Sequence, residues 1–105
     1  MSVTKKILLV DDEDDLRSAL AEQLGLYEEF ETFEANSGAQ ALAILKEKNF
    51  DLVLLDVGLP DHDGREICRM ARSQGVKTPI IMLTGADSDS DTILGLDSGA
   101  NDYVT

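Results

Sequence analysis

The chain has 105 residues, enough for one domain around one hydrophobic core, and its 43% hydrophobic and 29% charged residues are those of a folded globular protein. Twenty-one acids against nine bases leave a formal charge of −12, a surface that repels nucleic-acid phosphate and anionic lipid, so this segment is not expected to bind DNA or membrane. No apolar run approaches membrane-spanning length, Ile7 to Val10 is too short for a signal-peptide core, and a single Cys68 makes no internal disulfide; a cytoplasmic location is expected.

Ile7 to Val10 is a continuous apolar run that stops at Asp11-Asp12. Short runs without polar alternation suit strands buried on both faces, as in a parallel sheet covered by helices. Leu16, Leu20 and Leu24, with Ala19 beside them, then recur at helical spacing and predict a helix with one apolar stripe. Phe30 to Ala35 (FETFEA) is half polar and reads as an edge strand. Ser37 followed by Gln40 forms a capping box ahead of Ala41, Leu42 and Leu45. A second apolar run, Leu52 to Leu55, ends at Asp56. Asp63 followed by Glu66 opens a helix through Ile67, Met70 and Ala71, with Cys68 on its apolar side as a small core residue. Pro79 introduces a third run, Ile80 to Leu83, which ends in Thr84-Gly85. Ile93 with Leu96 marks a last, short helix, and Asp102 to Thr105 (DYVT) a fifth strand.

The order βαβαβαβαβ predicts an α/β fold: a doubly wound parallel five-stranded sheet in the flavodoxin-like order 2-1-3-4-5. The final helix that would cover the sheet after the fifth strand is lacking, so one face is expected to be partly bare and to favour a homodimer or a strand-exchanged dimer. Residues 1–105 are accordingly expected to be one domain, C-terminally incomplete and cut from a longer product.

Ligands of open α/β sheets bind at the carboxyl ends of the strands. Here those ends carry Asp11 and Asp12, Asp56, and Thr84, and the first, third and fourth strands are neighbours in the expected order. Glu13, Asp14 and Asp15 are accounted for by the positive end of the following helix. Asp11, Asp12 and Asp56 together need more, because three clustered carboxylates repel one another until a cation or a proton relieves them. Oxygen-only donors suit Mg²⁺, or Mn²⁺. A carboxylate beside such a metal suits a nucleophile toward phosphorus, forming an aspartyl phosphate. Thr84 then either hydrogen-bonds a phosphoryl oxygen or closes its own turn.

VDDE after the first strand, LLDVGLPDHDG around the end of the third, LTG after the fourth and GANDYVT at the fifth resemble the receiver domain of bacterial two-component response regulators. The resemblance covers the whole chain. It implies a phosphorelay switch with Asp56 as phosphoacceptor for a histidine kinase or histidine phosphotransfer protein. Asp12 and Asp56 would hold Mg²⁺ with the backbone carbonyl of Gly58, and Asp11 would assist. Thr84 would be the switch hydroxyl, and Tyr103 the aromatic whose ring turns inward. The family pattern continues with a lysine and a proline after Thr105, the lysine pairing with the phosphoryl group. The last motif is similar to that of the class carrying a winged-helix DNA-binding output domain, which implies control of transcription by the full-length protein.

Two other functions compete. An aspartyl-phosphate phosphatase wants a general acid two residues after its nucleophile, where this chain has Gly58. A pseudo-receiver, an interaction module that is not phosphorylated, would have no need of the acidic set. The expected activity is therefore regulatory, with at most slow self-catalysed phosphorylation and dephosphorylation. Asp87 to Asp91 imitates the start of an EF-hand loop, but Thr92 and Ser98 stand where glycine and glutamate are required. His62 is the only histidine, which excludes a multi-histidine metal site, and no glycine-rich phosphate loop is present.

Overall fold

Parallel strands cannot be joined by hairpins, so each of the first three strands here is followed by a helix that returns the chain to the same end of the sheet. The computed structural model describes residues 4–56, 58, 59, 61 and 63–83, and the backbone of Asp102–Val104. In chain order these form β1 (Lys5–Val10), α1 (Asp14–Gly25), β2 (Phe30–Ala35), α2 (Gly38–Glu47), β3 (Leu52–Asp56), α3 (Gly64–Ser73), β4 (Ile80–Leu83) and β5 (Asp102–Val104). The strands make one sheet in the order β2-β1-β3-β4-β5, with every neighbouring pair parallel. This is the doubly wound order expected from the sequence. The elements expected at Thr84-Gly85, at Asp87 to Asp91 and at Ile93 with Leu96 lie outside the described residues, as does His62.

Two strands run further than their apolar residues. β1 begins at Lys5, whose N–H donates to the Glu29 carbonyl at 2.6 Å, and β3 takes in Asp56, which pairs with Leu83 of β4. Backbone pairing sets both limits, and it is indifferent to side-chain polarity.

The main core lies between the sheet and the pair α2 and α3. Leu8, Val10, Val53, Leu55, Ile80 and Met82 from the strands meet Ala41, Leu42, Ile67, Cys68 and Ala71 from the helices, all buried. Burying each of the larger aliphatic side chains contributes about 1.5–3 kcal/mol. Cys68 is fully buried there, as a small core residue should be. Met70, expected in the same stripe, is 37% exposed instead, because Ile67, Cys68 and Ala71 occupy the inward arc of α3.

The opposite face is thinner. Ile7 and Leu9 are buried, but Leu54, Ile81 and Leu83 are only partly so. The apolar stripe of α1 correspondingly shields less than its spacing predicts: none of its residues is fully buried and Leu16 is 48% exposed. Leu20 and Leu24 line an open cleft of about 400 Å³ with Leu26, Tyr27 and Leu54.

Helix ends follow local chemistry. Ser37 Oγ accepts from the Gln40 N–H, while Gln40 Oε1 accepts from the Asn36 N–H, a capping box displaced by one residue. Asp63 caps α3 by accepting from the Arg65 N–H at 2.8 Å. α3 closes with Gly75 at φ +90°, the Gly75 N–H donating to the Arg72 carbonyl and the Val76 N–H to the Ala71 carbonyl, a Schellman stop that requires the glycine.

Gly38 of α2 lies directly against Ile67 of α3. A Cβ there would stand 2.4 Å from Ile67 Cδ1, and Ile67 is itself only 1% exposed. Helix propensity alone would favour alanine by up to ~1 kcal/mol, so the sign of the change is diagnostic. We expect Gly38→Ala to destabilise the fold by about 1–3 kcal/mol through overpacking. A lower urea midpoint at unchanged slope, partly restored in the double variant with Ile67→Val, is the expected result.

Candidate functional site

The parallel register of β1 and β3 builds the site. Val10 pairs with Leu55, so the residues that follow, Asp11 and Asp56, emerge side by side at the carboxyl edge of the sheet. Asp12 comes next on the β1 side. One carboxylate oxygen from each of Asp11, Asp12 and Asp56 lies within 4.8 Å of the others. Asp12 is exposed and Asp56 partly buried, so the cluster opens to solvent on one side.

Each acid is oriented by its surroundings. The Asp11 N–H donates to the Ala35 carbonyl at 3.1 Å, continuing the β1–β2 pairing by one residue. The Asp11 Oδ1 accepts from the Glu13 N–H at 2.9 Å, a turn that hands the chain into α1. Glu13 is the N-cap of α1 but its side chain makes no capping bond; Asp14 and Asp15 fill the acidic first turn as expected. Arg17, its side chain 11% exposed, donates to the Asp11 carbonyl oxygen, to Asp14 Oδ1 and to Glu34 Oε1 at 2.6, 2.6 and 3.0 Å. Those bonds fix the backbone beneath Asp11 while leaving the three clustered carboxylates without a basic partner among the described residues.

On the β3 side, the Gly58 N–H donates to Asp56 Oδ1 at a long 3.3 Å. Gly58 then forms an isolated antiparallel bridge with Asp63, which closes the loop between β3 and α3. A Cβ on Gly58 would meet nothing within 4 Å, so its position is open above the acids. Asp63, expected to open the helix after this loop, does so as the α3 cap and is paired with Arg65 at 2.8 Å.

The electrostatics separate these carboxylates. Burial pushes Asp56 above the usual carboxylate range; the Gly58 amide draws it back, and the charges of Asp11, Asp12 and Glu13 raise it further. The Arg65 guanidinium holds Asp63 below that range, against its own partial burial. A hard divalent cation answers the first situation: three anionic oxygen donors converge at one open point without a protein cation to neutralise them. The donor set of Asp11, Asp12 and Asp56 therefore fits Mg²⁺.

The remaining expected residues divide by position. Asp56 pairs with Leu83, the last residue of β4, and Thr84 lies outside the described residues. Tyr103 sits in β5 in register with Met82, its side chain likewise outside them. Two residues near the site were not singled out from the sequence. Arg17 was one, although an arginine in the first turns of a helix rich in acids was a visible signal. Asp61 was the other, and its hydrogen bonds go to residues more than twenty positions upstream.

Comparison with known proteins gives this geometry a family. Residues 7–105 match the family model described as the response regulator receiver domain. Over 103 residues the chain is 41% identical to the alkaline phosphatase synthesis transcriptional regulatory protein PhoP of Bacillus subtilis (strain 168), covering 98% of this chain and 42% of that one. It thus spans less than half the length of that curated relative. The BeF3-activated N-terminal receiver domain of Klebsiella pneumoniae RstA superposes with a TM-score of 0.87 at 37% identity, over 95% of this chain and 84% of that one. The response regulator TrrA of Thermotoga maritima, solved in complex with Mg²⁺-BeF, gives 0.84 at 36% identity, over 97% and 86%. The chain belongs to the response regulator receiver domain family: it is the receiver of a two-component response regulator, a regulatory signal-transduction module.

A proton is held more tightly by Asp56 in the folded chain than in the unfolded one. Its ionisation therefore costs stability as pH rises through the ordinary carboxylate range, about 3.9, and the cost persists above the raised value. In metal-free protein at neutral pH, Asp56→Asn should raise stability by ~1 kcal/mol, a small value because the group is partly solvated. The advantage should vanish as pH falls below the ordinary carboxylate range. Thermal melts of the two proteins across that range check it, and a pH-independent difference would contradict the charge account.

Proposed function

We propose that this receiver is a phosphorylation switch in which Asp56 accepts a phosphoryl group in a Mg²⁺-dependent reaction. The observation that carries the reading is the convergence of the Asp11, Asp12 and Asp56 oxygens within 4.8 Å around a partly buried acceptor. The Mg²⁺-BeF complex of the Thermotoga relative supports a divalent cation in the same kind of site. The donor is a histidine kinase or a histidine phosphotransfer protein, the partner class that a two-component receiver requires. A receiver of this kind works in the cytoplasm; among the described residues no helix is long and apolar enough to cross a membrane.

In that reaction an oxygen of the Asp56 carboxylate attacks phosphorus and forms an acyl-phosphate O–P bond. The P–N bond to the donor imidazole breaks, and the imidazole nitrogen keeps the electron pair. Asp12, Asp56 and the Gly58 carbonyl would hold the cation, with Asp11 supporting it. Bound there, Mg²⁺ supplies charge neutralisation between the carboxylate and the incoming phosphoryl oxygens and holds them in line. Gly58 brings no acidic side chain, so no general acid stands two residues past Asp56 to speed turnover, which favours a switch over a phosphatase. Self-catalysed phosphorylation and dephosphorylation are correspondingly slow. Thr84 is assigned the hydroxyl that moves toward the phosphoryl group, and Tyr103 the ring that follows it.

The curated relative is by name a transcriptional regulatory protein, which supports transcriptional output from the whole protein of which this receiver is part. With its charge of −12 the receiver itself does not bind nucleic acid; it controls a domain that does.

The test is intact-mass spectrometry of the chain, and of its full-length parent, after incubation with Mg²⁺ and a small acyl-phosphate donor. A single phosphate adduct that is lost in Asp56→Asn and on chelation of Mg²⁺ is expected. Many turnovers of the donor without an adduct would favour the phosphatase, and no adduct in either protein would leave the pseudo-receiver.

A further inference from the structure

The first N–H groups of a helix have no intrahelical acceptor and must find one elsewhere. In α2, Ser37 Oγ satisfies only the Gln40 N–H, at 3.2 Å. The other two are taken by one carboxylate from a distant part of the chain: Asp61 Oδ1 accepts from the Gly38 N–H at 2.9 Å and Asp61 Oδ2 from the Ala39 N–H at 3.0 Å. Asp61 lies five residues after Asp56, inside the loop whose ends are closed by the Gly58–Asp63 bridge.

The same short segment of chain also holds the other half of the site. Ala35, three residues before Gly38, accepts from the Asp11 N–H. Residues 35–39 thus grip Asp11 through a β-type bond on one side and Asp61 through a fork of two bonds on the other. The grip is close, since a Cβ on Gly38 would lie 3.3 Å from Asp61 Oδ1 as well as against Ile67. Gly58 is held by its bridge to Asp63 and by a long 3.3 Å bond to Asp56, and its Cα is open to space. Leu59 is buried and fixes the depth of the loop, and the Asp61 fork adds a polar anchor beside it.

We propose that Asp61 is a positioning residue for the metal site: its fork onto α2 holds the Gly58 carbonyl in place toward the cation and ties the β3 half of the site to the β1 half. The inference rests on the reading of Asp56 as a Mg²⁺-dependent acceptor and adds a residue to it. It also makes the start of α2 sensitive to the state of the site, because the fork runs both ways. A simple tertiary cap for α2 would stabilise the helix without touching metal affinity, and that is the difference to measure.

Calorimetric titration of Mg²⁺ into the metal-free chain, with amide exchange at Gly58 as a metal-independent readout, compares wild type with Asp61→Ala, Asp61→Asn and Ser37→Ala. Ser37→Ala removes a cap from the same helix end without touching the loop. Asp61→Ala should weaken Mg²⁺ binding roughly ten-fold, as loss of an outer-shell partner does, and speed exchange at Gly58. Asp61→Asn, which keeps one acceptor oxygen, should fall between, and it stands in should the alanine variant fail to fold. Ser37→Ala should lower the melting temperature comparably while leaving Mg²⁺ affinity and Gly58 exchange near wild type. Wild-type affinity and Gly58 exchange in both Asp61 variants, with only the melting temperature lowered, would overturn the positioning role and leave the acceptor reading standing. A wild-type chain that binds no Mg²⁺ would overturn the acceptor reading and this inference with it.

Discussion

Everything at the functional edge follows from the pairing of β1 with β3. Two parallel strands in register deliver their next residues to the same place, and here both next residues are aspartates. Asp12 adds a third charge, and Arg17 is spent on the Asp11 backbone, Asp14 and Glu34. The fold thereby concentrates negative charge that its own residues do not neutralise. Clustered carboxylates that only an external cation or a proton can relieve suit a sensor, because their preferred state depends on what arrives.

The rest of the molecule can be seen as the frame that withstands this repulsion. The α2–α3 side of the sheet is tightly filled, from Leu8 and Met82 to the fully buried Cys68. Gly38 lets the two helices close to a distance that any side chain would forbid. The α1 side is looser, with Leu54, Ile81 and Leu83 only partly covered and an apolar cleft running beside Leu20 and Leu24. Rigid packing under the acids and a thinner opposite face give the site a fixed floor while leaving part of the sheet's surface accessible.

The carboxylates of the loop beyond Asp56 show how one residue type takes different tasks within eight positions. Asp56 is raised by burial and like charges, Asp63 is lowered by Arg65 and caps α3, and Asp61 spans to α2. Their chemistry is identical; their neighbours are not. Composition therefore says nothing about which acid reacts, and the number of acids in the chain is a poor guide to the site.

Much was legible in the sequence. The apolar runs ending in Asp11 and Asp56 named the strands, their faces and their functional ends, because a buried parallel strand must be apolar until it emerges. The Ser37 and Asp63 caps and the alternation of elements were local signals, and the structure carries them. What local pattern misjudged was burial: Leu16 and Met70 have helical spacing but depend on what lies opposite, and little does. Asp61 gave no local signal because its partners, Gly38 and Ala39, stand 23 and 22 residues away. The sequence by itself thus determined the strand order, the strand ends at which the acids gather and the charge they carry, all of which are written in short-range pattern. Tertiary structure alone decided how closely the three carboxylates converge, that Arg17 is spent on Asp14 and Glu34 rather than on them, and which helix Asp61 caps, since those depend on distances between residues that only folding brings together.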